Sequence, residues 1–267
     1  MSTTSLAQRS IVVVGASSGI GRGVAERGIR AGARVVVAAR RAAALSDLVA
    51  EAGGGHAVPT DLRDDDSCRR LADEVAAVAA PVDLLLISAG TAPLRRMERT
   101  SPQDWEDTLS TNLVGIHRVI VALLGQLSPT AVVAVVSSEV VYSPRSHLGA
   151  YGASKAALEH TLQQWQEEHP WLRFTTISLG ATIPTEFGDR FAPDDLVEAF
   201  SAWASSGQDA AVFMNTDEVC DLLASTLASL IEAPSVGMPR IELRSPAPPE
   251  TNQGTALPDG GDHASEQ

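Results

Sequence analysis

The 267-residue chain is poor in aromatic residues, in cysteine and in positive charge. Phe, Trp and Tyr supply 4% of it, so a core must be packed chiefly from Ala, Val and Leu. Its two cysteines, Cys68 and Cys220, lie far apart and match no metal spacing. They argue against a disulfide framework and read as free buried thiols in a reducing compartment. Twenty Lys and Arg stand against 33 Asp and Glu, a formal net charge of −13. Such a chain repels phosphate backbones and anionic lipid, so neither nucleic acid nor membrane is an expected partner. The apolar run 11–14 is too short for a signal peptide or a membrane span, and a cytoplasmic protein is expected. His117, His147 and His160 stand singly and read as surface or core groups, and no metal is expected.

Apolar residues make up 44% of the chain, enough for a full core. Apolar, β-branched runs at 11–14, 34–39, 82–88 and 131–137 read as buried strands, with further ones at 56–59, 172–178 and 241–243. Between them fall helical patterns at 20–31, 42–52, 65–79, 112–127, 151–169 and 216–232. Ser101-Pro102 opens a further helix, with Ser at the cap and Pro in the first turn. Strand and helix alternate without a hairpin signal. That predicts an α/β fold: a Rossmann-type, doubly wound parallel sheet of about seven strands with helices on both faces. One domain, 1–245, is expected. Its rhythm breaks at 184–214, where Phe187, Phe191, Leu196, Phe200 and Trp203 suggest a small helical insertion capping a crevice. The segment 246–267, rich in Pro, Gly and acid, is expected to be a disordered tail.

Three stretches carry chemistry. Gly15-Ala-Ser-Ser-Gly-Ile-Gly21 follows the first strand at once and opens a helix. Backbone N–H groups in such a turn can face a pyrophosphate, so Gly15, Ser17, Ser18, Gly19, Ile20 and Gly21 are candidate cofactor contacts. The second strand ends Ala39-Arg40-Arg41, with no acid to hold a ribose 2′-hydroxyl. Arg40 could grip a 2′-phosphate instead, which favours NADP(H) over NAD(H), although two arginines at a helix start are also an ordinary solvated pair. Tyr151 and Lys155 are four apart and share one face of a helix. An ammonium near a phenol lowers the phenol's pKa and readies it for proton exchange with a substrate oxygen, and Ser138 could bond the same oxygen. Standing alone, the pair would read as surface groups on an amphipathic helix.

These stretches, with Asp61-Leu62, Ala89-Gly90, Asn112 and the segment Leu179-Gly-Ala-Thr-Ile-Pro-Thr185, resemble the short-chain dehydrogenase/reductase family over about 10–243. The resemblance implies Tyr151 as general acid/base, Lys155 as its modulator and ribose ligand, and Ser138 as the group orienting the substrate. It implies Asn112 as anchor of a proton-relay water. Asp61 and Leu62 would meet the adenine, Ala89 and Gly90 would lie along the cofactor, and Ile183 and Thr185 would meet its carboxamide and phosphate. A homodimer or homotetramer and a small carbonyl or alcohol substrate are implied too. The sequence departs from the family at Ile87-Ser88, at Leu179-Gly180 and in a last strand without a glycine-rich finish. Ser88 is expected to leave a weakened strand contact, and Leu179-Gly180 a looser turn. Leu94, Met97, Val140, Val141, Tyr142, Phe187 and Phe191 would form an apolar substrate wall, though the same residues suit subunit contacts or core. Two rival readings are a non-catalytic NADP-binding regulator and an epimerase or dehydratase on the same scaffold.

Overall fold

The structure is a computed structural model that describes residues 6–188, 191–206 and 213–246. The tail expected at 246–267 lies, beyond Pro246, outside the described residues, as do parts of the insertion. Seven parallel strands form one sheet: β1 (Ser10–Val14), β2 (Arg34–Ala39), β3 (His56–Pro59), β4 (Val82–Ile87), β5 (Leu127–Ser138), β6 (Arg173–Leu179) and β9 (Arg240–Leu243). Their order is β3-β2-β1-β4-β5-β6-β9. A separate two-residue pair joins β7 (Thr182–Ile183) to β8 (Met214–Asn215). The helices are α1 (Gly19–Arg30), α2 (Ala42–Ala52), α3 (Asp65–Val78), α4 (Pro102–Leu109), α5 (Ile116–Leu123), α6 (Gly149–Glu168), α7 (Pro193–Ser205) and α8 (Thr216–Glu232).

The continuous apolar strands are explained by burial on both faces. Ile11 and Val13 point to one side of the sheet and Val12 and Val14 to the other, since strand side chains alternate. One core packs Val12, Leu85 and Val133 under α3, α5 and α6 through Leu71, Ile120 and Leu158. The other packs Val13, Leu86 and Ala134 under α1, α2 and α8 through Val24, Leu48 and Leu223. Chain order reverses between β1 and β4, so the crevice of an open α/β sheet falls beyond Val14 and Ile87.

Two elements differ from the expected ones. The helix expected to open at Ser101-Pro102 does so, behind a capping box in which Ser101 and Asp104 bond each other's backbone, but it is continuous with the one expected at 112–127. It runs on through a π-helical segment, Ser110–Gly115, into α5. The stretch Pro102–Gln126 is apolar enough, by length and composition, to cross a membrane. In the fold its Ile116, Val119, Ile120 and Leu123 are buried in the core. Strand β5 starts four residues early, at Leu127. The exposed Pro129 and Thr130 bulge out before the register with β4 resumes at Val132.

Candidate active site

The glycine turn is built by close approach. Gly15 has φ +88°, and a Cβ there would sit 2.5 Å from the Ala89 nitrogen. The Ala89-Gly90 turn after β4 thus lies directly on the turn after β1. A Cβ on Gly21 would collide with the Ser88 hydroxyl and the Gly15 carbonyl. Ser88 donates weakly to the Val14 and Gly15 carbonyls, at 3.4 and 3.3 Å, so the strand contact survives its departure from the family pattern. Helix α1 starts at Gly19 with no side-chain cap at Ser18 and no acid in its first turn. Its free N–H groups and positive dipole end therefore suit a diphosphate. Gly15, Ser17, Ser18, Gly19 and Ile20 line one end of a cavity of about 780 Å³. Gly21 does not; it packs behind the turn.

Arg40, Asp61, Leu62, Ala89 and Gly90 also line this end, with Ile183 and Thr185 along its rim. Arg41 lines it too. The Arg41 guanidinium donates to Ser17 Oγ at 2.9 Å and pairs with the Glu186 carboxylate at 2.5 Å, spanning from β2 to the segment after β7. The sequence pattern singled out only Arg40, because nothing in it brings Glu186 beside Arg41.

Ser138, Tyr151 and Lys155 line the cavity further along. Ser138 ends β5 and its hydroxyl accepts from the Val140 N–H at 3.4 Å. Lys155 is buried, and its ammonium donates to the Val136 carbonyl at 2.8 Å. Its nitrogen lies 5.9 Å from the Tyr151 ring centre. The expected lowering of the phenol pKa is not what this arrangement produces. Burial pushes Tyr151 up to about 12, against a smaller downward pull from a hydrogen bond with Ser138. Burial also draws Lys155 down to about 8, opposed by the negative charge of Glu159. Desolvation disfavours both charged forms and outweighs the support from Ser138 and Glu159.

Asn112 sits in the π-helical segment, fully buried, and does not reach the cavity surface. Its Oδ1 accepts from the Thr91 N–H at 2.8 Å. Its Nδ2 donates to the Thr91 carbonyl at 2.8 Å and to Ser154 Oγ at 2.9 Å. Asn112 thus ties the loop after Gly90 to the helix carrying Tyr151.

Of the expected apolar wall, Leu94, Val140, Phe187 and Phe191 line the cavity. Met97 instead abuts Gly149, Val141 is outside the lining, and Tyr142 turns its hydroxyl to Glu159 at 2.6 Å. Helix α7 supplies Leu196, Phe200 and Trp203 in their place. The Trp203 indole donates to the Ser146 carbonyl at 2.9 Å, fastening α7 to the loop before α6. One ion pair, Glu139 with Arg145 at 2.8 Å, interrupts this apolar end.

The short chain dehydrogenase family model matches residues 9–194. The chain belongs to that family, a class of nicotinamide-dependent oxidoreductases. It is 32% identical over 174 residues to a rhamnolipids biosynthesis 3-oxoacyl-[acyl-carrier-protein] reductase of Pseudomonas aeruginosa, covering 61% of this chain and 68% of that one. It is 31% identical over 170 residues to a 3-dehydrosphinganine reductase of Arabidopsis thaliana, covering 60% of this chain and 51% of that one. Among solved structures, an alcohol dehydrogenase from Thermococcus sibiricus complexed with 5-hydroxy-NADP superposes with a TM-score of 0.75 at 21% identity, covering 89% of this chain and 96% of that one. A family member from Burkholderia phymatum in complex with NAD also gives 0.75, at 19% identity, covering 89% of each chain. At that identity the two structures speak for the fold.

Proposed function

We propose that the protein is an NADP(H)-dependent reductase of apolar ketones or aldehydes. One observation carries the reading: Ser138, Tyr151 and Lys155 meet in a single cavity with an uncapped helix N-terminus at one end and an apolar basin at the other. When bound, the nicotinamide supplies a hydride to the carbonyl carbon. Ser138 and Tyr151 then hold the carbonyl oxygen, and the protonated Tyr151 hydroxyl delivers the proton that completes the alcohol. A phenol pushed up to about 12 is protonated at neutral pH and so carries the proton a reduction consumes, but it is a weaker acid than a free phenol, so the charge of Lys155 must assist its release. Lys155 holds the ribose hydroxyls and, with its charge, helps the phenolate left behind. Arg40 and Arg41 favour a 2′-phosphate, and the absence of an acid at the end of β2 removes a repulsion. Two relatives named as reductases of 3-oxoacyl and 3-dehydrosphinganine substrates support a ketone set in an apolar chain. The same reading includes a homodimer or homotetramer, and a cytoplasmic setting that suits the free, buried Cys68 and Cys220.

The test is Tyr151→Phe, assayed with a panel of apolar ketones. Turnover is expected to fall by about 10²- to 10⁴-fold while NADPH binding, read by fluorescence, persists. Undiminished turnover in the variant removes Tyr151 from the chemistry.

A further inference from the structure

A carboxylate that the proposed chemistry does not use lies one helical turn beyond Lys155. Glu159 follows Tyr151 and Lys155 on the same face of α6, at intervals of four residues, and is only 5% exposed. Three groups converge on it from three other elements. From β5, the Ser137 hydroxyl donates at 2.6 Å. From the 3₁₀ turn after β5, the Tyr142 hydroxyl donates at 2.6 Å. From the start of β9, the Arg240 guanidinium donates at 2.9 Å and lies over the Tyr142 ring, 4.4 Å from its centre. Arg240 is flanked in turn by Glu242, at 3.4 Å. Glu159 therefore stands between two cations, Arg240 on the sheet side and Lys155 on its own helix.

The position of Ser137 makes this more than packing. It lies between Val136, whose carbonyl receives the Lys155 ammonium, and Ser138, which opens onto the substrate cavity. One carboxylate thus fixes the strand segment that supplies both groups. It also places a negative charge near an ammonium whose hydrogen bond is to a neutral carbonyl.

We propose that Glu159 is a positioning residue for the reductase site: through Ser137 it holds the end of β5 in place, and its carboxylate, one helical turn from Lys155, supplies the negative charge that faces the buried ammonium. The inference rests on the reductase reading for its kinetic test and is independent of it for its thermodynamic one. Removing a nearby negative charge lowers the proton affinity of Lys155 and of Tyr151 alike, so the sign of the effect is the same whichever group limits the rate.

In the full-length protein, Glu159→Gln is expected to move the alkaline limb of the kcat profile for NADPH-dependent reduction downward by about one pH unit, with turnover on that limb down about tenfold. Arg240→Gln, which removes the opposing charge, is expected to move it upward. Tyr142→Phe, which removes a hydrogen bond and no charge, leaves it in place. A uniform drop in kcat with an unmoved limb in both charge variants would show a purely structural role and overturn the proposal. The second readout needs no turnover. Without cofactor, the stability that depends on Lys155, taken as the difference from Lys155→Met, is expected to begin rising at lower pH in the Glu159→Gln background. An unchanged onset there overturns the proposal even if no substrate is found. A changed onset in a protein without reductase activity would retain the proposal and discard the function.

Discussion

Burying an ammonium costs free energy that one backbone carbonyl recovers only in part, and Lys155 is such a case. Its pKa of about 8 in the folded chain lies below the ordinary 10.5 of the unfolded one. Between those values the unfolded state binds more protons, so this group's contribution makes the protein more stable as pH rises from about 8 to 10.5. Tyr151, raised to about 12 from 10, acts oppositely: its contribution is complete below pH 10 and is lost as pH rises through 12. Denaturation of the wild type and Lys155→Met at a series of pH values should isolate the first effect. The difference between them should change by up to about 3 kcal/mol over that window, and a flat difference would mean that Lys155 is not desolvated. Gly21 gives a second residue-scale prediction. A methyl there meets the Ser88 hydroxyl and the Gly15 carbonyl, so Gly21→Ala should push α1 off the turn. NADPH affinity, measured by titration, should fall at least tenfold with helix content intact.

At the scale of elements, the site depends on what stands at each end of the sheet crevice. Helix α7 joins Leu196 and Trp203 to a small cluster with Leu94, Val140 and Leu148. It is tied down by the Trp203 bond to Ser146 and by the Arg145 guanidinium, 5.7 Å from the indole ring centre. Trp203→Ala should therefore raise KM for bulky apolar ketones by about tenfold with a smaller change in kcat, as expected for lost apolar contact. An equal loss for acetaldehyde-sized substrates would assign Trp203 a folding role instead. At the other end, Arg40→Asp should lower the ratio of NADPH to NADH efficiency by tenfold or more. An unchanged ratio would transfer the role to Arg41, which Ser17 and Glu186 already hold at the cavity edge. The glycine turn was legible from its place between the first strand and a helix, and the Tyr-Lys helix only because its spacing occurs together with the other stretches of the family pattern. The helical insertion that brings Leu196, Phe200 and Trp203 to the crevice was legible too, from its apolar residues; the partners of Arg41 were not, since they depend on how the segment after β7 folds back over the crevice.

Across the whole molecule, Arg173 ties the sheet to α8 at the end away from the site. From the first residue of β6 it donates to the Thr130 carbonyl at 3.1 Å. It also reaches the Leu230, Ala233 and Val236 carbonyls, at and beyond the C-terminal end of α8. A cation there adds a charged donor to the Leu230 carbonyl in the last turn and to the carbonyls just beyond it, and faces the negative dipole end. Arg173→Met should destabilise the fold by about 1–3 kcal/mol in urea denaturation while leaving the m-value unchanged, because one buried and several part-buried carbonyls lose a charged donor at once. A change below 0.5 kcal/mol would show that water replaces it.

The sequence by itself determined the layered α/β architecture, the strand ends at which ligands gather, and the identity of the glycine turn and of Ser138, Tyr151 and Lys155. The architecture and the turn follow from periodicity, β-branched runs and short spacings, which act over a few residues; the three side chains stood out through the resemblance to the family pattern. Only the tertiary structure decided that the phenol and the ammonium are governed by burial, that Asn112 spends its amide on Thr91 and Ser154, and that Tyr142 leaves the substrate wall for Glu159. Desolvation and side-chain pairing depend on neighbours far away in the chain, from Ser137 to Arg240 around one carboxylate, and no local pattern records them.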